Sequence, residues 1–174
     1  MNISPKISLN SIKLMNIYLK ETNGEYMVKE DSCDILCNCL YFTSNKLNRI
    51  INRMTEEEFV KTGLSPSHAF ALMVINNEEG LSQNEISKRL NIKPSTTSRF
   101  LDKLESKGLV TRKVKGKTSY LYSTENGRDL QEEIEKCWKS LHQRYSKILG
   151  EENGAELTET IYNAANELEN KFNE

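Results

Sequence analysis

"LSQNEISKRLNIKPSTTSRFLDKLESKGLVTRKVKGKTSYLYS", residues 81–123, decides the fold. Ser82 and Glu85 stand three apart at the head of a short apolar-periodic run, the spacing of a capping box. The helix they open buries Ile86 and Leu90. "NIK" is the turn, and Pro94 starts the next helix, where a missing N–H costs nothing. Phe100, Leu101 and Leu104 face inward there, and Gly108 ends it. Two short helices over a tight turn make a helix-turn-helix. "LVTRKV" and "TSYLYS" then read as strands, rich in β-branched and aromatic residues, joined by the basic turn "KGK". A helix-turn-helix running straight into a hairpin is a winged helix.

Working outward, Ile35, Cys39, Phe42, Leu47, Ile50 and Met54 recur at helical steps from Asp34 to about Phe59, and Gly63 closes that element. Ser65-Pro66 supplies a capping hydroxyl and then proline for a helix carrying Phe70, Leu72, Met73, Val74 and Ile75, which stops at "NNEEG". Beyond the hairpin, Thr124 caps a long helix with the stripe Leu130, Ile134, Cys137, Leu141, Tyr145 and Ile148. "GEENG" breaks it, and a last helix carries Leu157, Ile161, Ala164, Leu168 and Phe172. These stripes are too apolar to face water, so the outer helices pack together within one chain or across a dimer. Residues 1–31 hold either a hairpin at Asn23-Gly24 or a helical stripe of Ile12, Met15 and Leu19. The expected fold is mainly α with a small β-wing. An N-terminal appendage (1–31) precedes an N-terminal dimerisation helix (32–62). A winged helix-turn-helix domain follows (63–123; helix-turn-helix 82–107, wing 109–123), then C-terminal dimerisation helices (124–174).

The formal net charge is −1, but across 82–120 ten Lys and Arg meet three acids, Glu85, Asp102 and Glu105. That segment carries +7 and the remainder −8. A basic segment in an acidic chain fits a polyanion binder, or simply helices with lysines on their wet faces. The helix after Pro94 opens with Ser95, Thr96, Thr97 and Ser98, short hydroxyls that form helix poorly but fit close to a sugar-phosphate wall. A helix N-terminus adds free N–H groups and a positive dipole end. Arg99 is long enough to fork onto guanine. The face opposite Leu101 and Leu104 therefore presents Ser95, Ser98, Arg99 and Lys103 to double-stranded DNA, with Thr96 at the leading tip. Thr97, nearer the boundary, packs inward or contacts DNA. The plain alternative is a capped helix whose hydroxyls satisfy their own backbone. Lys115 and Lys117 flank Gly116 at the wing tip, where a narrow minor groove would attract them.

Other classes lack their signatures. There is no P-loop, dinucleotide fingerprint or His-Glu-x-x-His, and two histidines in the chain leave no His-containing triad, so no enzyme is expected and no cofactor. A winged-helix module that binds protein would need neither a basic helix face nor a basic wing. No signal peptide is visible and no run approaches the roughly 18 apolar residues that span a bilayer, so a cytoplasmic protein is expected, with no membrane partner. Its four cysteines are then reduced thiols.

"LSQNEISKRLNIKPSTTSRFLDKLESKGLVTRK" and "STENGRDL", the latter similar to a Leu-Thr-x-x-Gly stretch, resemble the MarR family of bacterial regulators over about residues 34–170. The resemblance implies a homodimer built from N- and C-terminal helices, a palindromic operator, and a repressor released by a small ligand or an oxidant. The family's wing usually carries Asp-x-Arg; here Lys115, Gly116 and Lys117 stand there, so Lys117 takes the Arg's place without a bracing Asp.

"LCNCLYFTS", 36–44, resembles the first-helix stretch of the family's organic-hydroperoxide-sensing branch, with Cys37 on the reactive cysteine and Tyr41 retained. The branch's further tyrosine positions hold Ile51 and Pro66. Thiol oxidation at Cys37, with Cys137 resolving, is one reading. Cys33 and Cys37, four apart, with Cys39 could instead hold a soft metal, although His68 and His142 lack ligand spacing and no metal site is assigned. In the third reading Cys37, Cys39 and Cys137 are small buried hydrophobes. A pocket between the dimer helices and the winged helix suits an aromatic anion.

Overall fold

Helical apolar spacing is realised first in the N-terminal part of the chain. In the computed structural model, which describes residues 34–172, the chain divides into two compact units, 1–45 and 46–174. The appendage 1–31 and Cys33 lie outside the described residues. Of the first unit, helix α1 (Asp34–Cys37) and the first turns of α2 (Leu40–Phe59) are described. The single helix expected over 34–59 is thus interrupted at Asn38–Cys39. Thr43, Ser44 and Asn45 each bond a carbonyl three or four residues back, a local alternative to the helix ladder.

In the second unit the rest of α2 leads through a short 3-10 turn (Val60–Thr62) to α3 (Pro66–Asn77). Ser65 does precede α3 and Pro66 fills its first turn, but the serine hydroxyl makes no backbone cap. It bonds His68 Nδ1 instead, at 2.5 Å. A short strand β1 (Leu81–Ser82) then enters α4 (Gln83–Leu90) through a complete capping box: Glu85 N–H donates to Ser82 Oγ, and Ser82 N–H donates to the Glu85 carboxylate at 2.7 Å. Asn91 turns the chain in the left-handed region (φ 51°), which Asn tolerates better than most residues. α5 (Pro94–Ser106) follows.

The wing is β2 (Val110–Lys115) paired antiparallel with β3 (Thr118–Ser123). Lys115 faces Thr118 across a two-residue turn whose first residue, Gly116, supplies the positive φ of 65° that such a hairpin needs. β1 adds to β3, giving the order β1-β3-β2, a third strand that two residues of sequence could not announce.

Thr124 caps only the short α6 (Glu125–Asp129), by accepting from Gly127 N–H, and α7 (Gln131–Leu149) carries the stripe. "GEENG" is not one break. Gly150 alone turns the chain, and α8 runs Glu151–Phe172 with Gly154 buried inside it. The core gathers Phe59, Leu72, Ile75, Ile86, Leu101, Leu104, Leu121 and Ile134, each fully buried. Burying one such side chain contributes about 1.5–3 kcal/mol. Leu90 and Phe100 are only half-buried, and Ile148, the end of the expected stripe, is exposed. Among the described residues no helix is long and apolar enough to cross a membrane.

Candidate nucleic-acid interface

The core fixes how α5 is presented. Leu101 and Leu104 are buried completely, and so is Thr97. Its Oγ1 lies 2.9 Å from Ser87 Oγ on α4, while Gln83 Nε2 donates to Pro94 O at 3.1 Å. These two bonds set the angle between the helices. At the far end Lys107 Nζ donates to Gly63 O at 3.1 Å. With its inner face used in this way, α5 turns the other side outward.

Ser95, Arg99 and Lys103 are exposed along that side, with Thr96 and Ser98 half-buried beside them. Arg99 and Lys103 line one shallow cleft with Asp102 and Ser106. Lys115 and Lys117 are exposed at the wing tip. None of Lys93, Arg99, Lys103, Lys115 or Lys117 makes an ion pair with the described residues. The helix N-terminus offers fewer open donors than expected. Pro94 has no N–H, and Thr96 and Thr97 N–H both donate to Lys93 O, at 2.9 and 3.1 Å. The hydroxyls and cations are the exposed groups on this surface that suit a phosphate.

Three features escape a reading by spacing. Arg112 of β2 is clamped by Asp102 at 2.5 Å and Glu105 at 3.5 Å. Val114, between two lysines, is 74% exposed. His68 on α3 packs at a tilt of 51° against Phe100 of α5 with ring centres 4.9 Å apart. Burial holds its imidazole below the ordinary range, and the charges of Lys103 and Lys107 push the same way. Of these only Arg112 left a trace in the sequence: an inward strand position holding a cation implies a partner.

The thiols differ. Cys37 is exposed, Cys39 half-buried, and Cys137 buried with its pKa pushed up, chiefly by that burial. The reading of all three as buried hydrophobes therefore holds for Cys137 and not for Cys37. Among the described residues no group of three or more His, Cys, Asp and Glu is arranged to hold a metal ion.

A helix-turn-helix whose outward face is basic, followed by a basic hairpin, defines the winged-helix class of DNA-binding regulators. Residues 62–117 match the MarR family. The transcriptional repressor MdtR of Bacillus subtilis is 28% identical over 140 residues, 77% of this chain and 90% of that protein. The repressor CouR of Rhodococcus jostii RHA1, solved on a 23-mer DNA duplex, superposes with a TM-score of 0.71 at 22% identity, over 79% of this chain and 99% of that one. The Staphylococcus aureus MepR–DNA complex gives 0.67 at 20%, over 75% and 98%. Residues 62–117 thus carry the pattern of the MarR family. The relatives that the chain is similar to are transcriptional repressors and regulators.

Proposed function

We propose that this protein is a cytoplasmic, sequence-specific repressor that binds a palindromic operator as a homodimer and is released by a small ligand or by thiol oxidation. The observation that carries the DNA reading is the exposed row Ser95, Arg99 and Lys103 on α5 together with Lys115 and Lys117 on the wing, cations without ion pairs among the described residues. In this reading Ser95, Thr96 and Ser98 meet the backbone, Arg99 reads a base edge, and the wing lysines follow the adjacent minor groove.

Homodimerisation is supported by α8, where Leu157, Ile161, Leu168 and Phe172 are all exposed and Gly154 is the one buried residue of its 22. A helix striped this way needs a partner. A second copy supplies two reading heads, one per half-site.

For release, CouR has been solved with p-coumaroyl-CoA, which makes an aromatic acyl ligand a reasonable class to screen. The exposed thiol of Cys37 favours the oxidation reading as well. Selection of bound duplexes from a random pool, with and without hydroperoxide, tests the whole proposal. A converged palindrome lost on oxidation is expected, and Cys37→Ser should keep binding while abolishing the loss. No enrichment over the input pool would refute sequence-specific binding.

A further inference from the structure

Arg112 holds the key to how helix and wing work as one surface. Its backbone opposes Leu121, which is fully buried, so Arg112 shares the covered side of the hairpin with Val110 and Leu121. From there its guanidinium reaches α5, where Nη2 donates to Asp102 Oδ1 at 2.5 Å and Nη1 approaches Glu105 Oε2 at 3.5 Å. The segment 82–120 contains only three acids. Glu85 is consumed by the capping box of α4, and the other two are the partners of Arg112. Asp102 is the one that matters to a polyanion, because it lies in the same cleft as Arg99 and Lys103.

We infer that Arg112 is a positioning residue for DNA recognition, acting in two ways. It neutralises the carboxylates that would otherwise repel phosphate beside Arg99 and Lys103. It also pins the base of the wing to α5, so that Lys115 and Lys117 stand at a fixed offset from the helix. The turn at Gly116 carries only lysines around it, so the tip has no acidic brace of its own, and its aim depends on the base. A planar fork with several donors can hold two carboxylates in a set geometry; a lysine at the same place would be a point charge without direction. An ion pair this exposed adds little to stability, so loss of the clamp should show in binding before it shows in folding.

The inference rests on the DNA-binding reading, and the test separates the two. Arg112→Met and the double variant Asp102→Asn/Glu105→Gln are compared with the parent on the selected operator, with circular dichroism reporting the folded fraction. For Arg112→Met, affinity per folded molecule is expected to fall about tenfold or more. The slope of log affinity against log salt should shrink by about two, as two wing lysines lose their phosphates. Adding Asp102→Asn to Arg112→Met should recover part of the affinity and none of the wing-end protection in a hydroxyl-radical footprint. The double variant, which removes both acids and leaves the Arg112 cation without its partners, should lose that protection while keeping the major-groove contacts of α5. Wing protection and salt slope unchanged in both folded variants would overturn the inference and leave DNA binding standing. A parent protein that binds no duplex would instead remove the reading beneath it.

Discussion

At the scale of the residue, exposure sets what each side chain can do. Arg99 points outward with no ion pair among the described residues, so Arg99→Ala should cost about 1–3 kcal/mol on the operator and relax preference at one position per half-site. Equal losses on operator and random duplex, measured by titration at fixed salt, would assign it to phosphate. Lys117→Ala should weaken both duplexes alike. His68 makes a pH prediction. Burial lowers its folded pKa below the ordinary 6.5, so the stability linked to its neutral form is present above 6.5 and is lost as the pH falls towards the folded value. Chemical denaturation between pH 7 and pH 5 should show the parent losing more stability than His68→Gln. The outward position of Arg99 was legible in advance, because it lies opposite Leu101 and Leu104 on a patterned helix. His68 was not, since its properties come from Phe100, Lys103 and Lys107, thirty or more positions away in sequence.

At the scale of the element, joints matter more than propensities. Asn76, at the end of α3, donates to Gly127 O and to Gln131 Oε1, both at 2.9 Å, and its Oδ1 accepts from Ser123 Oγ. One amide thereby ties the wing's exit to the start of α6 and α7. Gly127 has the tightest joint: a Cβ there would meet Leu109 O at 2.1 Å. The glycine of "STENGRDL" is needed for close backbone approach. Gly127→Ala should destabilise by about 1–3 kcal/mol in thermal or urea unfolding, through forced movement of α6 against the strand entrance. The second joint is between α2 and α7, where Arg144 bonds Glu57 at 2.7 Å and Glu58 at 3.2 Å, and Ser140 donates to Glu58 at 2.7 Å. The helices joined there were visible as periodic stripes; the polar joints were not. A stripe reports which side is buried and says nothing of which polar groups meet at the ends.

At the scale of the whole molecule, function depends on assembly and on field. Ile161 and Leu168 are 45% and 61% exposed on α8, so Ile161→Glu with Leu168→Glu should leave the winged helix folded. Sedimentation is expected to give a monomer, and operator affinity should collapse with it, because one reading head alone contacts one half-site. A variant that stays dimeric would move the interface off α8. With six to ten phosphates contacted, parent affinity should fall about 10³- to 10⁵-fold between 50 and 200 mM salt. A flat salt response would contradict a surface built on Lys and Arg.

The amino-acid order by itself determined the elements with strong local signatures. The capping box of Ser82 and Glu85, the proline at position 94, the β-branched strands and the glycine turn each arise from contacts within a few residues, and local physics needs no knowledge of the rest. It likewise determined the +7 segment, since charge is a property of composition. Tertiary structure alone decided that β1 joins the sheet, that Thr97 turns inward to Ser87, that Arg112 is spent on Asp102 and Glu105, and that Cys137 is sealed while Cys37 is open. Each of those outcomes depends on a partner brought close by packing, and no periodicity within one segment encodes where a distant segment will lie.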